Sequence, residues 1–566
     1  MRTSTTEVPL RELIEGFNEG RYPLPQFQRE YVWKPRQILN LLDSLSRGFP
    51  IGSFYLWKPP PGTKIDPKQS ATGQPTVPAR FDGYLIDGQQ RLTSLEAAFG
   101  NCTAETKHAS LVECYLDLLG SADPQGRDTK LFVSPAQNQT FQKRVDRADA
   151  TLLSVSTFLH PVDPNLRRQV HESLKDAKID DKRIQAALRY FDSAVTLLDR
   201  RVPVTTIYDV PDEDVIPVFA RLNKGGTTLR AGDVRAAELA RGKSADVLRR
   251  IREFVVTDRP KRLGFGFSFA FRALVVFHRE SAQFSRLKGD WVDQTGPHGR
   301  TLTASWLAAE KALSAALKFV DEELGWCRKA LVPSANALIV LAFAIDSLPR
   351  GGIDDKAAGD FKRWLCLTAL RGVFQGSVET TIDKFVKAVN KSSGSAANAL
   401  VKTLSREEGR AIDADEDIRV YSSMWGPGTQ VMMAWLTSLK ACDWVGEDQL
   451  VTLARGGPTS LPGGNLTVHH IVARKLLANH GVEPDDANTL ANYALVSGTA
   501  NSQFGDDLPL DVYKSLDTEQ RKHASVQFFG LEAGDRMTPE SYFEFLDWRA
   551  DHLAKAWNEW LGLETR

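Results

Sequence analysis

A chain of 566 residues is too long for one ordinary core, so two or three domains are expected. Hydrophobic residues at 42% and charged residues at 25% give the balance of a soluble globular protein, and 71 basic residues cancel 71 acidic ones, which argues against indiscriminate coating of nucleic acid while leaving room for a local basic groove. Five scattered cysteines (Cys102, Cys114, Cys327, Cys366, Cys442) argue against a disulfide framework or a cysteine zinc site. No apolar run reaches spanning length and none follows Met1, so the expected setting is the cytoplasm, away from membranes.

In chain order, Pro9 to Phe17 reads as a helix start with Leu10, Leu13, Ile14 and Phe17 on one face, and Ile38, Leu41, Leu42 and Leu45 repeat the spacing. Ile51 to Trp57 and Gly83 to Ile86 read as strands, with a Pro-, Gly- and Thr-rich surface loop over Pro59–Pro78 between them. Leu92 to Phe99 reads as a helix, and Cys114–Leu119 and Lys130–Val133 as further strands, so the first domain is expected to be α/β. Beyond about Leu166 strands thin out, and residues 180–200, 240–256, 304–322, 330–348, 360–373 and 380–405 carry helical periodicity. Gly456 to Gly464 reads as a linker or hairpin loop. Arg249-Arg250-Ile251-Arg252 and Arg259-Pro260-Lys261-Arg262 precede alternating Phe265, Phe267, Phe269 and Phe271. Such a segment can grip a DNA backbone, but a solvated helix face followed by a buried stretch is the plainer reading.

The richest chemistry lies between Leu466 and Tyr513. His469 and His470 end a β-like run, so their side chains point to opposite faces, one toward a metal and the other toward substrate. A strand starting at Asn492 follows, then a helix opening over Thr499–Asn501, which returns the Asn501 side-chain oxygen toward the metal. Phosphodiester cleavage needs an activated water and compensation of charge on phosphate. A neutral imidazole takes the water's proton near pH 7, and a divalent ion such as magnesium or manganese acts as Lewis acid. His480 and His523 nearby read as incidental. These residues resemble the HNH, or His–metal-finger, nucleases over roughly Gly457 to Tyr513. The resemblance implies that His469 and Asn501 ligate metal, that His470 is the general base and that Asn492 orients it. Val472-Ala473 stands where many members carry a proline, and Pro509 with Tyr513 loosely matches a trailing Pro…Tyr feature.

Near the start, Pro25-Gln26-Phe27-Gln28-Arg29-Glu30-Tyr31-Val32-Trp33 is dense in groups that bind planar or anionic ligands, although core packing is the plainer role for Tyr31 and Trp33. Asp87-Gly88-Gln89-Gln90-Arg91 joins a strand to a helix, where backbone N–H groups at the helix start suit phosphate; Arg91 and Arg29 can add bidentate contacts, and Asp87 can hold a metal or water. There is no GxxxxGK[ST] sequence, so no Walker loop holds the phosphates. "FQREYVW", "FPIGSFYLW", "IDGQQRLTSL" and the Asn223-Lys224-Gly225-Gly226-Thr227-Thr228-Leu229 loop resemble the N-terminal domain of GmrSD-type, modification-dependent type IV restriction systems, over about Val8 to Ala240. The resemblance implies a ParB/sulfiredoxin-like fold that binds and hydrolyses a nucleoside triphosphate, GTP among them, and that in the related SspE proteins senses modified DNA. The site it implies is Gln26, Arg29, Asp87, Gly88, Gln89, Gln90 and Arg91, with Asn223 and Thr227 as weaker members; Asp87 and Arg91 take the catalytic roles.

The expected organisation is an α/β ParB/sulfiredoxin-like domain over 1–240, a mainly helical connecting region over 241–440 and a ββα-metal (HNH) nuclease domain over 441–566. The expected function is triphosphate-dependent, modification-sensing DNA cleavage in anti-phage defence, with modified phage DNA, a nucleoside triphosphate and magnesium or manganese as partners. A homodimer is allowed. Two rival readings keep the fold: a triphosphate-hydrolysing DNA-binding regulator with an inactive nuclease domain, and an RNase.

Overall fold

The computed structural model describes residues 2–25, 28, 31–61, 67–68, 80–100, 113–120, 132–134, 139–149, 151–159, 162–211, 215, 218, 244–287, 291–297, 299–349, 352–456, 466–528 and 536–564. The chain divides into two compact units, Met1–Arg241 and Gly242–Arg566. Among the described residues no helix is long and apolar enough to cross a membrane.

The first unit opens with β1 (Arg2–Pro9), α1 (Leu10–Asn18), α2 (Pro35–Ser46), β2 (Phe54–Lys58), β3 (Tyr84–Asp87) and α3 (Gln89–Phe99). A three-stranded patch follows, formed by β4 (Tyr115–Asp117), β5 (Phe132–Val133) and β6 (Leu152–Ser154); then come α4 (Leu166–Asp176), α5 (Asp181–Val195) and β7 (Arg201–Tyr208). The main sheet has the order β1-β7-β2-β3, with β2 parallel to β7 and the other pairs antiparallel. Side chains alternate across it. Phe54, Leu56, Leu85, Val202 and Val204 join one core with Leu10, Leu13, Ile14 and Phe17 of α1 and Ile38, Leu41, Leu42 and Leu45 of α2, while Trp57, Ile86 and Ile207 form a cluster on the other face. The helical stripes read from the sequence are the faces that bury.

Strands do not simply thin out after Leu166, because β7 lies inside the main sheet. Pro203 disguised it, since proline cannot donate to a ladder. Its place is tolerated because pairing with β2 begins one residue later, at Val204.

The second unit begins with helices: α6 (Ala245–Val255), α7 (Asp258–Arg262), α8 (Phe267–Arg279), α9 (Leu302–Glu323), α10 (Ala335–Asp346), α11 (Asp355–Leu370), α12 (Val378–Lys391), α13 (Ala396–Thr403), α14 (Pro427–Ser438) and α15 (Leu450–Gly456). The arginine- and phenylalanine-rich segment is helical. Arg249 and Arg250 pair with Asp246 on their own helix, Arg259 and Arg262 converge on the buried Asp321 of α9, and Phe271 is buried in α8. The solvated-face reading is thus the one the contacts support, with Asp321 as an added anchor.

The chain then forms β8 (Leu466–His470), α16 (Arg474–Asn479), β9 (Tyr493–Ser497), α17 (Gly498–Phe504), α18 (Thr518–Phe528) and α19 (Tyr542–Leu561). The expected boundary at 440/441 falls inside this unit. Asn558 of α19 exchanges hydrogen bonds with the backbone of Ile412, and Arg363 of α11 donates to the carbonyl of Leu561. The Gly456–Gly464 stretch lies, from 457 on, outside the described residues.

Candidate functional site

β8 and β9 form an antiparallel ribbon in which His469 faces Ala494 and His470 faces Tyr493. Neighbouring strand residues point to opposite sides, so the two imidazoles enter different surroundings. On one side, Nδ1 of His469 lies 3.0 Å from Oδ1 of Asn501, and the ring meets the edge of Trp444. Asn501 comes from the first turn of α17, whose start is fixed by the Ser497 hydroxyl accepting from the Ala500 N–H at 2.9 Å. Asp443 holds the Ser497 N–H at 2.7 Å. On the other side, Nε2 of His470 lies 2.9 Å from Oδ1 of Asn488, and the ring packs edge-on against Tyr493 with centroids 5.2 Å apart. Because the amide oxygen can only accept, Nε2 carries the proton and Nδ1 is the basic nitrogen. Burial pushes both imidazoles below their ordinary range, which keeps them neutral at pH 7.

The expectation that Asn492 orients His470 directly meets a different geometry. Asn492 is fully buried; its Oδ1 accepts from the Val472 N–H at 2.9 Å, and its Nδ2 donates to the carbonyls of Val472 and Ala487, each at 3.1 Å. With the Ile471 N–H on its own carbonyl at 2.8 Å, Asn492 clasps the turn that leaves β8. The reason is local: it sits in the short 3₁₀ turn Leu490–Asn492 before β9, on the inner side of that turn. The imidazole's partner is Asn488, which sequence reasoning missed; its only signal was a second asparagine in the same loop.

Two other residues escaped the sequence reading and hold the ribbon. Arg549 of α19 is wholly buried and donates to the carbonyls of Leu490, Ala491 (2.6 Å) and Tyr493 (2.7 Å). Burial pushes its guanidinium down to about 9, so it remains charged at neutral pH among backbone dipoles. Gln527 of α18 receives the Leu495 N–H at 2.8 Å and donates to the Leu495 carbonyl at 2.7 Å, doing what a third strand would do. His480 is exposed and pairs with Glu540 at 3.1 Å, away from this arrangement.

A divalent ion fits His469 and Asn501 in donor chemistry: a neutral imidazole and an amide oxygen converge from a strand and a helix. Among the described residues no group of three His, Cys, Asp or Glu forms a cluster, so most of the shell would come from water and phosphate.

In the first unit, the two N-terminal motifs meet. Gln28 donates to the carbonyls of Leu85 (2.9 Å) and Ile86 (2.8 Å) on β3, the Val32 N–H donates to Oε1 of Gln90 at 2.8 Å, and the Tyr31 and Ser94 hydroxyls bond at 2.7 Å. Gly88 joins β3 to α3 at φ 96°, and a Cβ there would stand 2.4 Å from the ring of Phe54. Only glycine meets both conditions. Asp87 and Arg91 form an ion pair at 3.1 Å. Arg91 also donates to the carbonyls of Ile51 and Ser53 (2.8 Å) and lies over the Phe54 ring. Its guanidinium, which the sequence placed on a phosphate, holds the segment leading into β2; burial pushes its pKa down. Gln89 and Gln90 are buried in the first turn of α3. Gln26, Arg29, Asn223 and Thr227 lie outside the described residues.

Comparison with known proteins adds a class to the first unit. Residues 10–240 match the family model described as "GmrSD restriction endonuclease, N-terminal domain". A protein of Methanocaldococcus jannaschii, described as uncharacterized, is 28% identical over 242 residues, which cover 40% of this chain and 40% of that protein. The match thus spans about two fifths of the relative's length.

Proposed function

We propose that this chain is a type IV restriction endonuclease: a first unit, ParB/sulfiredoxin-like, that binds and hydrolyses a nucleoside triphosphate such as GTP and senses modified DNA, and a terminal HNH-type segment that cuts it. The helical region between them relays the triphosphate state, so that the nuclease is not free to damage host DNA. The observation that carries the nuclease half is the pair of imidazoles on one ribbon, each held by its own asparagine, at 3.0 Å and 2.9 Å. The family match over residues 10–240 supports the restriction half.

In this reading Nδ1 of His470 takes a proton from water, the water oxygen bonds to phosphorus, and the bond from phosphorus to the leaving sugar oxygen breaks. Asn488 keeps Nε2 protonated and the ring in place while Nδ1 gains its proton. His469 and Asn501 would hold a magnesium or manganese ion, which supplies Lewis-acid stabilisation of phosphate charge. In the first unit, the Asp87–Arg91 turn supports the triphosphate site and Gly88 brings backbone close to the phosphates.

The test is cleavage of phage genomes carrying unmodified cytosine, glucosylated hydroxymethylcytosine or phosphorothioate linkages, with and without GTP and magnesium. Matched RNA substrates accompany them. Cutting confined to one modified genome, with GTP turnover, supports the reading. Turnover and DNA binding without any cutting would instead establish a regulator.

A further inference from the structure

Arg474 opens α16 four residues after His470. The turn between them is not loose: Ile471 and Val472 are bonded to the backbone and side chain of Asn492, which is itself buried. The root of Arg474 is therefore fixed relative to the imidazole. Arg474 is exposed, and its positive charge acts on the Tyr493 phenol, which meets the His470 ring edge to face with centroids 5.2 Å apart. The next residue, Lys475, is committed to Asp506 at 2.8 Å. Among the described residues no carboxylate lies within ion-pair distance of Arg474.

A guanidinium meets a phosphate through two parallel N–H donors and compensates its charge as the fifth oxygen adds. We propose that Arg474 grips the non-bridging oxygens of the phosphodiester that His470 acts on. The proposal rests on the nuclease reading above. The bonds made and broken are those already given, water oxygen to phosphorus and phosphorus to the leaving oxygen; Arg474 exchanges no proton.

The experiment compares wild type, Arg474→Gln, Arg474→Lys and Lys475→Gln. Cleavage is read on supercoiled plasmid and on phage DNA containing glucosylated hydroxymethylcytosine, with manganese and GTP. Binding to the same DNA is titrated in EDTA at several salt concentrations. Arg474→Gln should lower kcat/KM roughly 10- to 100-fold, and should reduce the log–log salt slope by about 0.9, the loss of one phosphate contact. Arg474→Lys should recover part of the rate, keeping charge but not the fork, and Lys475→Gln should match wild type. Wild-type rate and slope in Arg474→Gln overturn the proposal. So does a slower variant with an unchanged salt slope, or one that has lost its circular dichroism, since either assigns Arg474 to the scaffold. Wild type that cuts neither DNA overturns the nuclease reading, and the role of Arg474 with it.

Discussion

Nε2 of His470 is held at 2.9 Å by Oδ1 of Asn488, four residues before the asparagine that the family resemblance singles out. Asn492 grips backbone on both sides of its turn. The two asparagines should therefore fail differently. Asn488→Ala should leave the fold intact and slow cleavage about fivefold, because one hydrogen bond of about 1 kcal/mol orients the base. Asn492→Ala should cost stability first, because it strands the buried Val472 N–H at about 1–3 kcal/mol. Urea midpoints beside cleavage rates separate the cases. A destabilised Asn488→Ala with normal rate per folded molecule would reverse the assignment.

Arg549 is the second stability prediction. It carries a buried charge and donates to the backbone carbonyls of Leu490, Ala491, Tyr493 and Gln527. Arg549→Met keeps much of the volume and removes every donor. Leaving the buried carbonyls of Ala491 and Tyr493 without this donor, while that of Leu490 keeps only the Tyr493 N–H, should cost about 3 kcal/mol or more. Chemical denaturation followed by the fluorescence of the second unit's tryptophans is the measurement, and a midpoint within error of wild type would remove Arg549 from the frame of the ribbon.

In the first unit, Gly88→Ala should be the most damaging small change. Its φ of 96° disfavours any side chain, and the added carbon would meet the Phe54 ring at 2.4 Å. Strain of about 1–2 kcal/mol from the left-handed backbone adds to the overlap. Arg91→Ala should lower thermal stability as well as triphosphate hydrolysis, because Arg91 ties Asp87 to the Ile51–Ser53 segment. Arg91→Lys should not restore either, since one ammonium cannot span three oxygens. Phosphate release and melting of the same preparations decide it; full stability with lost hydrolysis would favour a direct phosphate contact.

Periodicity made the helices readable. The stripe Ile38, Leu41, Leu42, Leu45 is buried as spaced, and the His469-His470 pair sits on opposite sides of a strand as alternation requires. What the sequence hid has physical causes. β7 contains a proline whose tolerance depends on where pairing with β2 begins. The side chain of Arg91 has a phosphate-binding chemistry, but three oxygens within its own fold already use it. Arg549, Gln527 and Asn488 act by reaching a backbone or ring far from their own turn, and such contacts leave no trace in local spacing.

The last prediction separates base, ligand and triphosphate chemistry. His470→Ala removes the nitrogen that takes the water's proton and should lower DNA cleavage about 10²–10⁴-fold. Triphosphate hydrolysis should persist, because the Asp87–Arg91 turn belongs to the other compact unit and independent sites behave additively. His469→Ala should also lose cleavage, but raising manganese should recover part of it, since Asn501 and water would still hold the ion. The imidazole of His469 is buried against Trp444, so its removal also opens a cavity, and the melting temperature must be recorded with the rate. Wild type in EDTA should bind DNA without cutting and regain activity with magnesium or manganese. The readouts are nicking of susceptible DNA, phosphate release and circular dichroism on one set of preparations. Cutting by His470→Ala at the wild-type rate, or cutting in chelator, would end the nuclease assignment. Loss of both activities in a folded His470→Ala would show that the two units do not divide the work as proposed.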